Sequence, residues 1–567
     1  MKKIKVIYQS AATLIMGGAM LLAAGCDVER LPYNEIPADA LDAGNIETVT
    51  RGSYGKLKEE AFYKIIHQVG EYGGDNISLS GTTSDQLFNI YTYHRSATNS
   101  YSAQFWQYSY TMMANINSMI ELIPEGESAA KDQLLGENYF LRGYNYFQLC
   151  NVYARPYADG NGNTPGVPLK LTSDIADFPP RASVKEVYDQ IVKDLTKAAG
   201  LMTEKKQNIY ASKETAQAFL SRVYLYMGEW EKAKEMADAV INSGRYTLLT
   251  GTSYKNYPRS VPEENTETIF AIRMVKDTDY EKYHMNYYSV GALYSKINNV
   301  GWGEMYPSET YMKLIDENPG DLRHGFIVPE TPDVPYTWLV YTNEVPMYVV
   351  AMVTRQADGS YKIADEATVE ANEDAKVVSK NDSYFTSNVV EQSGGKYYVT
   401  EAATNKRYEV KIEAAAKTRN GYPKRFIYKC SFQEEQAQLY SPVMMRFAEM
   451  YLNRAEAKWH LGQYASAVDD INVLRTRTEI PKRVADGADD STVFTWIMNE
   501  RRLELAWEGQ RKYDIYRNNL TLDRFYPGSH RDSTPVEDGL TLSSPLIVEL
   551  IPQAELDAYP GELTQNQ

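Results

Sequence analysis

The residues best placed by type and spacing to do chemistry are three glutamates near the carboxyl end. Glu500, Glu504 and Glu508 recur every four residues, so a continuous helix sets them on one face, and two carboxylates about 5 Å apart are the equipment of a retaining glycosidase. Their neighbours oppose that use. Arg501, Arg502, Arg511 and Lys512 interleave at helical spacings that neutralise the row, and Leu503, Ala506 and Trp507 supply a packing face, so the row reads as a structural ion network. The 6 histidines form no HExxH, and the chain has no GxSxG or Walker-type glycine loop. Asp159-Gly160-Asn161-Gly162-Asn163 alternates oxygen ligands like the start of a calcium loop, but the sixth position is Thr164 rather than Gly and the twelfth is Lys170 rather than Glu. It reads as a turn-rich connection. Neither enzyme chemistry nor a cofactor is expected, and structural calcium is left open.

Aromatic side chains carry the second kind of chemistry, stacking. The 567 residues include 46 Tyr against 15 Phe and 7 Trp. A sugar ring presents a face of C–H groups and an edge of hydroxyls, so a binder needs flat rings and polar partners on loops. Two segments fit. Residues 70–99 read as a loop between helices carrying Asp75, Asn76, Tyr91, Tyr93 and Arg95, and residues 283–306 carry Tyr287, Tyr288, Tyr294, Trp302 and Tyr306 among Asn298, Asn299 and glycines. Trp302 is the strongest single candidate, because Gly301 and Gly303 leave its face accessible. Many of the other tyrosines, such as Tyr144 and Tyr224, sit at helix-packing positions.

Helical periodicity dominates the elements that must position these rings. Residues 104–123, 129–153 and 183–202 read as helices. Residues 225–241 (LYMGEWEKAKEMADAVI) and 459–475 (WHLGQYASAVDDINVLR) repeat one pattern: Gly228 and Gly462 are each followed by an aromatic two residues on, Trp230 and Tyr464, and by an alanine five residues on, Ala233 and Ala467. Glycine closes one helix, the aromatic wedges the pair, and alanine lets two backbones approach, as in a tetratricopeptide repeat. Residues 347–430 alternate in short strand-like runs, such as KYYVT and RYEVKI, separated by turns, and read as a small β-hairpin insertion or subdomain. The fold class expected is mostly α, a scaffold of helix pairs with long loops.

Cys26, Cys150 and Cys430 make no disulfide framework, and none lies at metal-ligand spacing. Cys150 reads as a buried small hydrophobe. Cys26 differs: Lys2, Lys3 and Lys5 precede an apolar run from Ala11 to Ala24, too short to span a bilayer, that ends in Ala23-Ala24-Gly25. This resembles a bacterial lipoprotein signal (1–25), with Ala23 where leucine is commoner, and implies lipid, palmitate among it, on Cys26. Residues 26–45, with Pro32 and Pro37, then form a tether. Asp27 and Glu29 behind the cysteine resemble the surface-display signal of Bacteroidetes lipoproteins. Removing residues 1–25 takes away three lysines and no acid, so the net charge of −16 becomes −19. With a pI near 5.1, the surface is wrong for gripping nucleic acid.

LRGYNYFQLCNVYARPY at 141–157, RFAEMYLNRAEAKWHLG at 446–462, NERRLELAWEGQRKYDIYR at 499–517 and IPQAELDAYPGELTQN at 551–566 resemble, in order, the SusD/RagB family. The resemblance spans nearly all of the mature chain, except around 347–430. It implies an N-terminal SusD-like helical region (46–250) and a C-terminal RagB/SusD region (251–567). It also implies an outer-membrane, exterior-facing lipoprotein that binds a glycan and hands it to a SusC-like TonB-dependent barrel, with peptide capture as the alternative, and no catalysis. In starch-binding members, aromatics from the two segments above form the sugar arc.

Overall fold

The computed structural model describes residues 43–79, 86–344, 347–366, 376–419, 422–524, 526 and 540–566. The signal peptide, Cys26 and most of the tether lie outside them. The chain divides into a unit ending at Val49 and a unit from Thr50 onward; all that follows concerns the second. Among its described residues no helix is long and apolar enough to cross a membrane.

The scaffold is helical: α1 (Glu60–Tyr72), α2 (Ser100–Leu122), α3 (Ala129–Tyr153), α4 (Val184–Leu201), α5 (Lys213–Met227), α6 (Trp230–Ile241), α7 (Phe447–His460), α8 (Tyr464–Arg477), α9 (Asp490–Glu504) and α10 (Arg511–Arg517). Helices α2 to α5 and α9 begin behind Asn99, Ser128, Ser183, Ser212 and Asp489, whose side-chain oxygens accept backbone N–H groups left free by the first turn. Three helices are tied in the interior by Arg142 of α3, which grips Asp194 of α4 through two 2.8 Å bonds and donates to Asn117 of α2 at 3.1 Å.

The two repeat motifs form helix pairs as expected. Gly228 and Gly462 sit at φ 76° and 74°, and each pair closes the same way: Gly228 N–H donates to Leu225 O and Glu229 N–H to Tyr224 O, as Gly462 does to Trp459 O and Gln463 to Lys458 O. Ala233 and Ala467 are fully buried. Although more than 200 residues apart, the pairs stack on each other, α6 against α7. The rings of Trp230 and His460 lie 3.6 Å apart and parallel, and Arg454 of α7 bridges Asp238 of α6 and Asp470 of α8, both at 2.7 Å. No atom would crowd a Cβ at Gly462, so Gly462→Ala isolates the cost of its left-handed backbone. It is expected to lower stability by about 1 kcal/mol, read from the denaturant midpoint.

The β insertion is larger than a hairpin and starts earlier than residue 347. Its strands are β1 (Thr337–Thr342), β2 (Tyr348–Arg355), β3 (Tyr361–Ile363), β4 (Val389–Ser393), β5 (Lys396–Thr400) and β6 (Arg407–Ala414). They pair antiparallel in the order β2-β1-β6-β5-β4-β3, and β3 also pairs with β2 (Val353 opposite Ile363), so the six strands close on themselves, while a seventh short strand, Lys376–Val377, adds parallel to β2. Closure removes the exposed edges that an open sheet of this size would carry. Side chains alternate accordingly: Leu339, Val349, Ala351, Val353, Val390, Val399 and Val410 fill the interior, while Trp338, Val340 and Val350 face outward onto Tyr306, Tyr422 and Phe426 of short flanking strands. Below the barrel, Ile327–Pro329 pairs with Arg425–Ile427 as a two-stranded stem. Short alternating runs announce strands, but ring closure depends on pairings as distant as Thr337 with Ala414 and leaves no local signal.

Candidate ligand-binding site

An exposed aromatic ledge is built by residues 284–303. Ser289 caps the short helix Val290–Tyr294, its Oγ accepting Ala292 N–H at 3.1 Å and donating to Gln438 O at 2.8 Å. The chain then turns tightly at Ile297–Val300, whose N–H and C=O groups bond both ways, with Asn298 and Asn299 at φ 53° and 62°. Two consecutive positive φ values make a type I′ turn, a conformation asparagine tolerates. Trp302 N–H donates to Ala292 O at 2.8 Å. Gly301 and Gly303 serve this geometry: both have positive φ, and a Cβ would come within 2.4 Å of Ser295 O at the first and 2.7 Å of the Phe426 ring at the second. The glycines therefore pin the backbone against its support, and the indole is left facing outward.

Trp302 is 49% exposed, Tyr287 39% and Tyr288 47%. The Trp302 and Tyr287 rings meet at 5.6 Å and 61°. Tyr288 lies beside them in the chain, with Lys64 Nζ 5.4 Å from its ring centre and the His284 ring 6.4 Å away. Trp302 and Tyr287 are thus in ring contact on an exposed ledge, and the half-exposed Tyr288 and the exposed Asn298 and Asn299 belong to the same chain segment. Lys64 and His284 were not legible in the sequence, since Lys64 reaches the ledge from α1.

The other candidates are placed differently. Residues 70–99 are not one loop: they contain the strand Ile77–Leu79, which pairs with Met305–Pro307, and the helix Gln86–Thr92. The two candidate segments do meet, but along a buried edge. Asp75 is buried between Arg511 at 2.6 Å and Arg502 at 3.3 Å; burial pushes its carboxyl up, and the two guanidinium groups outweigh that and hold it at about 2. Asn76 donates to Glu71 Oε1 and accepts from Arg502 Nε. Arg524 covers the buried Tyr91 ring at 4.0 Å, Tyr93 shares a 2.8 Å hydrogen bond with Tyr516, and Tyr306 lies parallel to Tyr422 in the core. Tyr294 is buried and hydrogen-bonded to His67 Nε2 at 2.7 Å. These six offer no open face for a ring to stack on, which corrects the expectation for them: a tyrosine in a polar, glycine-rich segment is still drawn inward when a distant cation or ring covers it. Arg95 is half-buried and donates to Val548 O at 3.4 Å, beside His94 at a separate cleft of about 580 Å³.

The glutamate row is an ion network, and the helix that carries it stops at Glu504. Trp507 adopts φ 63°, so Glu508 lies beyond the helix rather than on its face. Glu500 pairs with Arg323 at 2.8 Å and Arg475 at 3.0 Å. Glu504 contacts Arg446 and Arg477, with Arg323 at 3.4 Å. Glu508 pairs with Lys429 at 2.6 Å and Arg446 at 2.9 Å. Burial opposes the charge on Glu504, yet the three arginines hold its carboxyl well below the usual range. Among the described residues no group of three or more His, Cys, Asp or Glu side chains is arranged to hold a metal. Cys150 is buried, and burial pushes its thiol up to about 12.

Sequence models of two families match. That of the SusD family matches residues 266–539, and one described as starch-binding associating with outer membrane matches residues 29–225. This chain belongs to the SusD/RagB family. A SusD-like protein of Formosa agariphila is 24% identical over 485 residues, covering 81% of this chain and 80% of its own, and another from the same organism is 24% identical over 529 residues, 90% of each. Among solved structures, a SusD superfamily protein from Bacteroides thetaiotaomicron superposes with a TM-score of 0.70 at 21% identity, over 93% of this chain and 100% of that one. A putative sugar binding protein from Bacteroides vulgatus gives 0.65 at 22% identity, over 92% and 98%. These likenesses establish the helical fold.

Beneath the ledge of this SusD/RagB chain lie two opposed titrations. Burial lowers His67 from 6.5 to about 3 and raises Glu71 from 4.5 to about 7, despite hydrogen bonds from Asn76 and the backbone. As pH falls below about 6.5 the unfolded chain takes up a proton on His67 that the folded one refuses, which costs stability. Between 7 and 4.5 the folded chain takes up a proton on Glu71 that the unfolded one refuses, which restores it. Glu71→Gln removes the second effect only. Relative to the parent, that variant is expected to lose about 1.4 kcal/mol per pH unit from pH 6.5 to 4.5, measured by urea unfolding at each pH; a pH-independent difference would refute the assignment.

Proposed function

We propose that this SusD/RagB protein is a cell-surface lipoprotein, anchored through Cys26, that captures a glycan on the ledge of Trp302, Tyr287 and Tyr288 and delivers it to a SusC-like TonB-dependent outer-membrane barrel. The observation that carries the reading is the half-exposed Trp302 indole, held outward by a glycine-pinned loop with Tyr287 against its edge. Such rings meet the C–H face of a sugar, and the exposed Asn298 and Asn299 of the same loop carry amides able to bond hydroxyls. The starch-binding description of one matching family model and the sugar-binding neighbour point the same way. The lipid anchor follows from the sequence around Cys26; several acyl chains hold a protein on a membrane where one does so only marginally. Catalysis has no place in this reading, because the glutamate row is consumed by arginines.

The test is a binding screen of the chain from Asp27 onward against neutral and acidic oligosaccharides and against peptides. Saturable binding to a glycan class with no response to peptides supports the proposal. Binding to peptides with silence across glycans would replace it by peptide capture, as in RagB-like members.

A further inference from the structure

The barrel creates a second concavity that shares no residue with the ledge. Where its outer wall meets the helix Glu309–Ile315 and residues Tyr422 and Pro423, a cleft of about 250 Å³ opens. Met312, Val340 and Tyr348 line it with C–H surface. Around that surface stand three carboxylates, Glu309, Glu409 and Glu413, and three cations, Lys313, Lys411 and Arg425. Their charges cancel locally: Glu309 pairs with Lys313 at 2.7 Å, Glu413 with Arg425 at 2.5 Å, Glu409 with Lys396 at 2.8 Å, and Lys411 with Asp316.

A rim compensated in this way has no preference for an anion or a cation. It does place strong acceptors beside strong donors, which is what adjacent hydroxyls need, since each hydroxyl both donates and accepts. The C–H lining suits the apolar face of a ring. The volume lies below the roughly 300–1,000 Å³ of sites for drug-sized ligands, which limits the occupant to one or two rings. We propose that this cleft is a second saccharide subsite, selective for a neutral sugar and independent of Trp302. The inference rests on the glycan reading above for the class of ligand alone.

Met312 supplies the probe. Methyl NMR of the whole soluble chain with isotope-labelled methionine, the Met312 signal assigned through Met312→Leu, is recorded against glucose, galactose, mannose, N-acetylglucosamine and, as the anionic comparison, glucuronate. The expected result is a saturable shift of the Met312 methyl with at least one neutral sugar, unchanged in Trp302→Ala and weakened about tenfold in Lys411→Ala, which removes one charged donor from an exposed position. A Met312 signal unmoved by every neutral sugar overturns the proposal, as does a response that vanishes in Trp302→Ala, a preference for glucuronate, or a response to short peptides alone. Failure of the ledge is read separately, from the oligosaccharide screen and Trp302→Ala, so a silent ledge with a responding Met312 refutes the first reading and supports this one.

Discussion

Glu504→Ala is expected to destabilise the protein by about 3–5 kcal/mol, a large share of the roughly 5–15 kcal/mol that holds an ordinary domain folded. The reason is what remains behind. Arg446, Arg477 and Arg323 all converge on the Glu504 carboxylate, and all four side chains are buried. Without it, three guanidinium groups face one another with Glu267, Glu500, Glu508 and Asp321 left to share among them. Breaking such a network costs far more than its net contribution, because desolvation of the surviving charges is no longer offset. The comparison is Asp189→Ala, which removes one side of an exposed helical pair with Lys185 and is expected to change stability by no more than about 0.5 kcal/mol. Urea unfolding of both variants decides the matter, with Glu504→Gln as a milder variant if the alanine form does not accumulate. A Glu504→Ala midpoint equal to that of Asp189→Ala would show that the arginines are satisfied without it.

The largest functional effect is expected at Trp302. Replacing an exposed aromatic anchor typically costs about 2 kcal/mol or more of binding, a loss of about 30-fold, so Trp302→Ala should weaken glycan binding by at least that factor in titration calorimetry. Stability should move by no more than about 0.5 kcal/mol. The separation is possible because the loop is held by main-chain bonds from residues 302–304 to Ala292 and Leu293 and by the close approach at Gly301 and Gly303, none of which uses the indole. Unaltered affinity would remove Trp302 from the site. Gly301→Ala gives the opposite signature, a loss of both stability and affinity, because its Cβ meets Ser295 O.

The amount legible in the sequence varied with the range of the interaction. Helices 100–122, 129–153 and 184–201, the two glycine-closed helix pairs and the strand-like character of the insertion were all readable, because periodicity, caps and positive-φ glycines act within one or two turns of chain. That the glutamate row is an ion network was readable, but its partners were not: the row is held by Arg323, Arg446, Arg475, Arg477 and Lys429, whereas the interleaved Arg501 turns to Asp514 and Arg502 and Arg511 to Asp75. The stop of the helix before Glu508 was not readable either. Within the candidate site the sequence singled out Trp302, Tyr287 and Tyr288 together with tyrosines that proved to be core. Composition treats a tyrosine under Arg524 and a tyrosine on a ledge alike.

The amino-acid sequence by itself determined the helical class, the family, the export and lipidation signals expected at the amino end, and the glycine-flanked tryptophan. Only the tertiary structure decided which aromatic rings keep an open face, that the insertion closes into a barrel, and that the two helix pairs stack. Those outcomes rest on partners far apart in the chain, Asp75 with Arg511 and Tyr294 with His67 among them. Burial is a property of such long-range contacts, and a sequence pattern reports only the short-range ones.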